Sequence, residues 1–203
     1  MDDLLAGYRR FRSDIWPDAR ARYQAMARKG QAPQTLIIAC SDSRVDPATV
    51  FGAGPGELFV IRNVAGLIPR YVPDGGNHGT SAALEYGVRV LKVARIVVLG
   101  HAQCGGIRAM VDGAPDEAQD FVQSWMQIAK DAVLRPHPEW DSSIDIHDHY
   151  EEEVIRISLA HLRTFPWIAE GEALGNLSLE GCRFDIHTGV LSRLVGGEFV
   201  AVV

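Results

Sequence analysis

Two short runs hold the side chains with the most chemistry in this chain, CSDSR at 40–44 and HAQC at 101–104. Each follows an apolar, β-branched segment, TLIIA at 35–39 and ARIVVLG at 94–100, of the kind that forms a strand buried on both faces. Such strands ordinarily run out into turn residues; these run out into thiols, a carboxylate, a guanidinium and an imidazole. Two thiolates and an imidazole suit zinc, with a carboxylate or water for the fourth place. Alternate side chains of extended backbone share a face, so Cys40, Asp42 and Arg44 are predicted to project together. His101 and Cys104 are three apart and meet if the chain enters a helix there. Cys104 would then stand at a helix N-terminus, where the dipole and free N–H groups favour a thiolate. Gly105 and Gly106 would let backbone approach the site closely.

The elements that must position these groups follow from pattern. MDDLLAGYRRFRSDIW and PDARARYQAMARKG read as two helices, with Pro17 opening the second and Gly30 ending it. TLIIA, ELFVIRN (57–63) and ARIVVLG read as strands, and GAGPG before the second as a turn rather than a phosphate loop. Helical spacing marks 80–93, with Thr80 or Ser81 as cap, a helix from CGGIRAMV, and amphipathic helices over 115–134 and 150–165, the last stopped by Pro166. LSLEGCRFDIHTGVLSRL reads as two strands joined at HTG. Strands alternating with helices predict a single α/β domain over 1–203, with a mostly parallel central β-sheet flanked by helices, an N-terminal helical arm (1–30) and a C-terminal strand pair. In open sheets of this type ligands collect at the carboxyl ends of strands, where Cys40 and His101 lie.

Bulk properties narrow the function. A net charge of −6 with acids and bases interspersed argues against nucleic acid or an anionic membrane as partner. The opening residues are too polar for a signal peptide, and no apolar stretch has the ~20 residues of a membrane helix. Three cysteines cannot all pair, which fits a reducing, cytoplasmic setting.

CSDSR and HAQC match the C-x-D-x-R and H-x-x-C motifs of the β-class carbonic anhydrases, and the sequence resembles that family closely over about 31–110, through PGELFVIRNVAGLIP, GTSAALEYGV and GHAQCGGI. The resemblance implies reversible hydration of CO2 to bicarbonate and a proton by water acidified on Zn2+, with Cys40, His101 and Cys104 as ligands. Asp42 and Arg44 would form a catalytic dyad; Asp42 turned away from Arg44 could ligate zinc and close the site. Gln31, Phe59, Val64 and Tyr86 align with the substrate pocket, and Gly105 is assigned to it as well. The family unit is a homodimer, or a dimer of dimers, with the N-terminal arm crossing the partner and active sites at the subunit interface. Two departures matter. Some members carry an inhibitory bicarbonate site built from Trp, Arg and Tyr; here Ile37 and Phe184 replace the aromatic pair and only Arg62 remains, so that site is expected to be absent.

Two other functions are compatible with these ligands: hydrolysis of carbonyl sulfide or carbon disulfide on the same scaffold, and a non-catalytic zinc or thiol protein, which would not need Asp42 and Arg44. His147 and His149 sit in the acidic run IDIHDHYEEE (144–153), read as a solvated helix start. Cys182 is read as a packed small hydrophobe, and His78, His137, His161 and His187 have no assigned role.

Overall fold

The protein is described here by a computed structural model covering residues 1–133 and 146–203; His137, Leu134 and the Ile144–Asp145 start of the acidic run lie outside the described residues. The arm is helical throughout: α1 (Asp2–Arg10), a π-helical turn over Phe11–Ile15 and α2 (Trp16–Lys29). The expected break into two helices is softened because Pro17 falls in the first turn of α2, where its missing N–H costs little, and the wide turn before it accommodates the ring. No residue of the arm is buried. Its aromatic groups pack on each other, Trp16 against Tyr23 at 5.4 Å and Phe11 against Tyr23 at 6.3 Å. The Arg22–Glu57 ion pair, 2.8 Å, ties the arm to the body.

The body follows in the order β1 (Thr35–Cys40), α3 (Pro47–Val50), β2 (Leu58–Asn63), α4 (Gly79–Glu85), β3 (Arg95–His101), α5 (Gly105–Asp112), α6 (Val122–Met126), α7 (Lys130–Val133), α8 (Ile146–Leu162), α9 (Pro166–Ala173), β4 (Ser178–Phe184), β5 (Leu191–Val195) and β6 (Glu198–Ala201). The six strands form one sheet ordered β2-β1-β3-β4-β5-β6, parallel through β4 and antiparallel beyond it. The expected C-terminal pair is present as β4 and β5. A third strand, β6, follows a Gly196-Gly197 turn with both residues at positive φ, a conformation glycine adopts without strain.

Three other expectations change. Thr80 does not cap α4; His78 precedes the helix, and the Thr80 hydroxyl instead accepts a hydrogen bond from Asn63 at 3.1 Å. The single helix expected over 115–134 is broken: Gln119 closes a turn on the Ala114 and Pro115 carbonyls, and helix resumes at Val122, where Trp125 donates to the Val64 carbonyl at 2.8 Å. Tertiary contact overrides propensity there. Pro166 does more than stop α8, since it supplies the first residue of α9.

The core follows the period-two pattern of the strands. Leu36, Ile38, Ile96 and Val98 face one side and pack with Ile155, Leu159 and Leu162 of α8. Ile37, Ala39, Val97, Leu99 and Cys182 form the other side, so Cys182 is the packed small residue expected. Two glycines set the depth of α8. A Cβ on Gly181 of β4 would lie 2.9 Å from Ile155 and 3.2 Å from Leu159, and one on Gly100 of β3 would lie 2.7 Å from Ile155. Gly181→Ala is therefore expected to destabilise the fold by about 1–3 kcal/mol through overpacking, read as a lower urea midpoint with an unchanged m-value.

Candidate metal centre

Cys40 is the last residue of β1 and His101 the last of β3, and these neighbouring strands run parallel with Ala39 opposite Leu99. What joins Cys40, Asp42 and Arg44 is not continued extension. The chain turns immediately after the strand, and the Arg44 N–H donates to Asp42 Oδ1 at 2.9 Å, a side-chain-closed turn. The guanidinium then grips the same carboxylate, Nε to Oδ1 at 3.0 Å and Nη2 to Oδ2 at 2.7 Å. The charge-assisted fork holds the Asp42 carboxyl well below the usual carboxylate range. Arg44 Nη2 also donates to the Gln103 carbonyl at 3.0 Å, tying the loop after β1 to the loop after β3.

His101 and Cys104 meet through a turn rather than a helix. Gln103 adopts φ +55°, and Cys104 is extended (φ −72°, ψ 118°) as the cap of α5. The other strained residue of the region, Ala65 (φ +64°), lies across from it; its methyl occupies the space where a Gly106 side chain would fall, 2.8 Å away. Positive φ at non-glycine residues clusters at functional sites. His101 Nδ1 is 2.8 Å from the Ala102 carbonyl, which can only accept, so Nδ1 carries the proton and Nε2 offers its lone pair. Nε2 is buried and has no hydrogen-bond partner.

Here the three donors fit a metal. Their ligand atoms lie within 4.8 Å of one another, and the two sulfurs are 3.9 Å apart, against about 3.8 Å for two thiolates on tetrahedral zinc. An orphaned imidazole nitrogen this close to both sulfurs is the polar atom a cation would satisfy. Without one, Cys40 is drawn down to about 4, chiefly by the Cys104 thiol, with burial opposing. Cys104 is pushed up by the same contact and by burial, while the Gly106 and Ile107 N–H groups at the start of α5 work the other way. Burial disfavours a charged His101, but Cys40 and the Ala102 carbonyl outweigh it and the net shift is upward. Asp42 Oδ2 lies 3.9 Å from His101 Nε2.

Val64 and Gly105 flank this cluster. Val64 also lines an open apolar groove of about 520 Å3 with Ser41, Val122 and Trp125. Gln31, Phe59 and Tyr86 are not brought to it within one chain. Phe59 pairs with Leu36, four residues back from the Asn63–Cys40 level, roughly 13 Å along the strand. Tyr86 stacks near Phe59 at 6.1 Å and is half exposed. Gln31 is exposed ahead of β1, at the opposite end from Cys40. Ile37 is buried in the core, Phe184 packs against that core, and Arg62 is spent on the Cys40, Asp42 and Val45 carbonyls at 2.6–3.0 Å.

The acidic run holds a surprise. Rather than a solvated helix start, it buries Glu151 and Glu153. Glu151 Oε1 accepts the Cys104 N–H at 3.2 Å, and Arg183 binds Oε2 at 2.7 Å. The missed signal was spacing: Glu151 is one turn before Ile155 on the stripe that packs on the sheet. His147 contacts Asp112 at 3.3 Å, and His149 stacks near Tyr150; among the described residues Cys40, His101 and Cys104 form the one group able to hold a metal. His78 pairs with Asp74 at 2.6 Å, the buried His161 donates to the Ile68 carbonyl at 2.7 Å, and the His187 N–H donates to Asp185.

Comparison with known proteins gives the family. The carbonic anhydrase family model matches residues 35–191. A carbonic anhydrase of Pseudomonas aeruginosa is 38% identical over 98% of this chain and 89% of its own length. The β-carbonic anhydrase CcaA superimposes with a TM-score of 0.91 at 32% identity, covering 100% of this chain and 92% of that one. A tetrameric β-carbonic anhydrase of Sordaria macrospora gives 0.71 at 29% identity, covering 98% and 95%. An α/β sheet with a Cys-His-Cys cluster at its strand ends is the class of enzyme that fold and site define. The chain belongs to the β-class carbonic anhydrases.

One consequence concerns the Asp42–Arg44 pair. Because the folded-state pKa of Asp42 is depressed, the pair's stabilisation is present above the ordinary carboxylate value of about 3.9 and is lost as pH falls through the folded value. The stability gap between wild type and Arg44→Met, from urea denaturation in the presence of chelator, is expected to close as the pH is lowered from neutrality into the acid range.

Proposed function

We propose that this protein is a zinc enzyme interconverting CO2 and bicarbonate, with Cys40, His101 and Cys104 as ligands and Asp42 and Arg44 as the catalytic dyad. The observation that carries it is the cluster of three buried donors beside a carboxylate already gripped by a guanidinium. Bound there, zinc would lower the pKa of a coordinated water, as it does to about 7 in carbonic anhydrases with three histidine ligands. Two thiolates would leave the ion formally neutral and less able to acidify water, so the chain's own residues would have to supply more. Asp42 does so by accepting a hydrogen bond from the nucleophilic water and orienting its lone pair toward CO2. Arg44 keeps that carboxylate ionised and, through Gln103, fixed relative to His101 and Cys104. Arg44 holds both Asp42 oxygens, so Asp42 would not be free to join Cys40, His101 and Cys104 as a further ligand. Val64 supplies dry wall for the apolar substrate, and Gly105 bare backbone.

The pocket is completed by a second copy. Gln31, Phe59 and Tyr86 lie too far from their own chain's ligands, and the arm presents Leu4, Tyr8 and Ile15 to solvent, a face suited to crossing a partner in a homodimer or a dimer of dimers. Three free, buried cysteines support a cytoplasmic setting, and among the described residues no helix is long and apolar enough to cross a membrane. The loss of the aromatic pair at Ile37 and Phe184 and the engagement of Arg62 support the absence of an inhibitory bicarbonate site.

Metal analysis is expected to give one zinc per chain, and stopped-flow assay rapid CO2 hydration at mildly alkaline pH, with Asp42→Ala at least about 100-fold slower. Stoichiometric zinc without hydration would overturn this reading, and turnover of carbonyl sulfide alone would move it to that substrate. Phe59→Ala is expected to slow hydration although its own metal ligands are remote, and dilution to the monomer, followed by sedimentation, to lower specific activity in parallel.

A further inference from the structure

Glu151 has no part in the family motifs, yet it is one of the few buried carboxylates of the described chain, its side chain 2% exposed. Burying a carboxylate is costly unless it is paired and hydrogen-bonded. Both conditions are met, and one of the partners is the backbone of a residue of the cluster itself. Oε1 accepts the N–H of Cys104, which as the cap of α5 has no helical partner for that group. Oε2 receives Nε and Nη2 of Arg183 at 3.1 and 2.7 Å, and Arg183 reaches Asp148, one turn earlier, with the same Nη2. Arg183 sits opposite Gly100 in the β3–β4 register, one residue from His101, and the next carbonyl, Phe184, accepts the Ala102 N–H at 2.9 Å. The carboxylate thus reaches the H-x-x-C turn from behind. A cavity of about 10 Å3 lined by Glu151, His101 and Cys104 leaves no more than one water's space between them.

The fold is built to put it there. Gly100 and Gly181 remove the side chains that would hold α8 away from the sheet, Ile155 fills the space, and Glu151 follows one turn back. We infer that Glu151, held by Arg183, is a positioning residue for the metal centre: by fixing the Cys104 amide it sets the direction of the Cys104 sulfur. This rests on the zinc reading above and extends it to the layer behind the ligands, whose loss in metalloproteins typically costs 10–100-fold in metal affinity.

The substitution Glu151→Gln tests it at constant shape. A glutamine can give its oxygen to Cys104 or to Arg183 but not to both, so its NH2 must face an N–H donor. Zinc affinity, measured by chelator competition, is expected to fall about tenfold, with a shifted thiolate-to-metal band in the cobalt-substituted protein. Adding Arg183→Met removes the opposing donor, frees the amide oxygen for Cys104, and is expected to restore affinity to within about threefold. A purely structural ion pair predicts the reverse, with the double variant weaker than the single one. Wild-type affinity and spectrum in Glu151→Gln, or no rescue in the double variant, overturns the inference. Should the variants fail to fold, hydrogen exchange on the wild-type chain decides: the Cys104 amide is expected to be as protected as the β3 amides with zinc or without it, and free exchange there refutes the role. Wild type that binds no zinc but protects this amide would refute the zinc reading alone.

Discussion

Parallel pairing of β1 with β3, in a register that sets Ala39 against Leu99, is the constraint on which the site depends. Both strands are buried on two faces, so a slip by one residue would exchange two closely packed sets of side chains of different size and misfit both faces. That rigidity delivers Cys40 and His101 to one edge of the sheet at adjacent positions. The loops beyond need supply only short corrections. They do so with strained residues, Gln103 and Ala65, held by Arg44 and by the close approach of Gly106.

The site is consequently a pair of interlocked turns rather than a pocket lined by free side chains. Arg44 links the two loops through Asp42 on one side and Gln103 on the other. Arg62 secures the first loop from below through three carbonyls. Glu151 and Arg183 secure the second from behind. Each guanidinium reads fixed acceptors in its fork geometry, which a lysine could not match. Donors fixed to this degree would need little reorganisation to receive a metal ion.

Most of the sheet was legible because buried parallel strands write themselves as continuous apolar runs, and TLIIA and ARIVVLG are flanked by clear breaks. The amphipathic helix expected over 115–134 failed because its pattern is shared between several short turns, each dictated by partners distant in sequence, such as Val64 for Trp125. Local pattern does not announce α9 or β6, because a proline and a double glycine, usually marks of termination, here open a helix and close a hairpin.

By itself the sequence determined which side chains could serve as donors and at which strand ends they lie, since Cys40 and His101 each close an apolar run. It did not determine how they meet. Extension was expected to align Asp42 with Arg44, and a helix to align His101 with Cys104; turns do both. Nor could it separate Glu151 from its acidic neighbours, or reveal that Phe59 and Tyr86 lie away from their own chain's ligands. Those facts depend on how deeply α8 settles on two glycines and on which end of β2 faces the site. They are distances across the fold, and local pattern carries no measure of them.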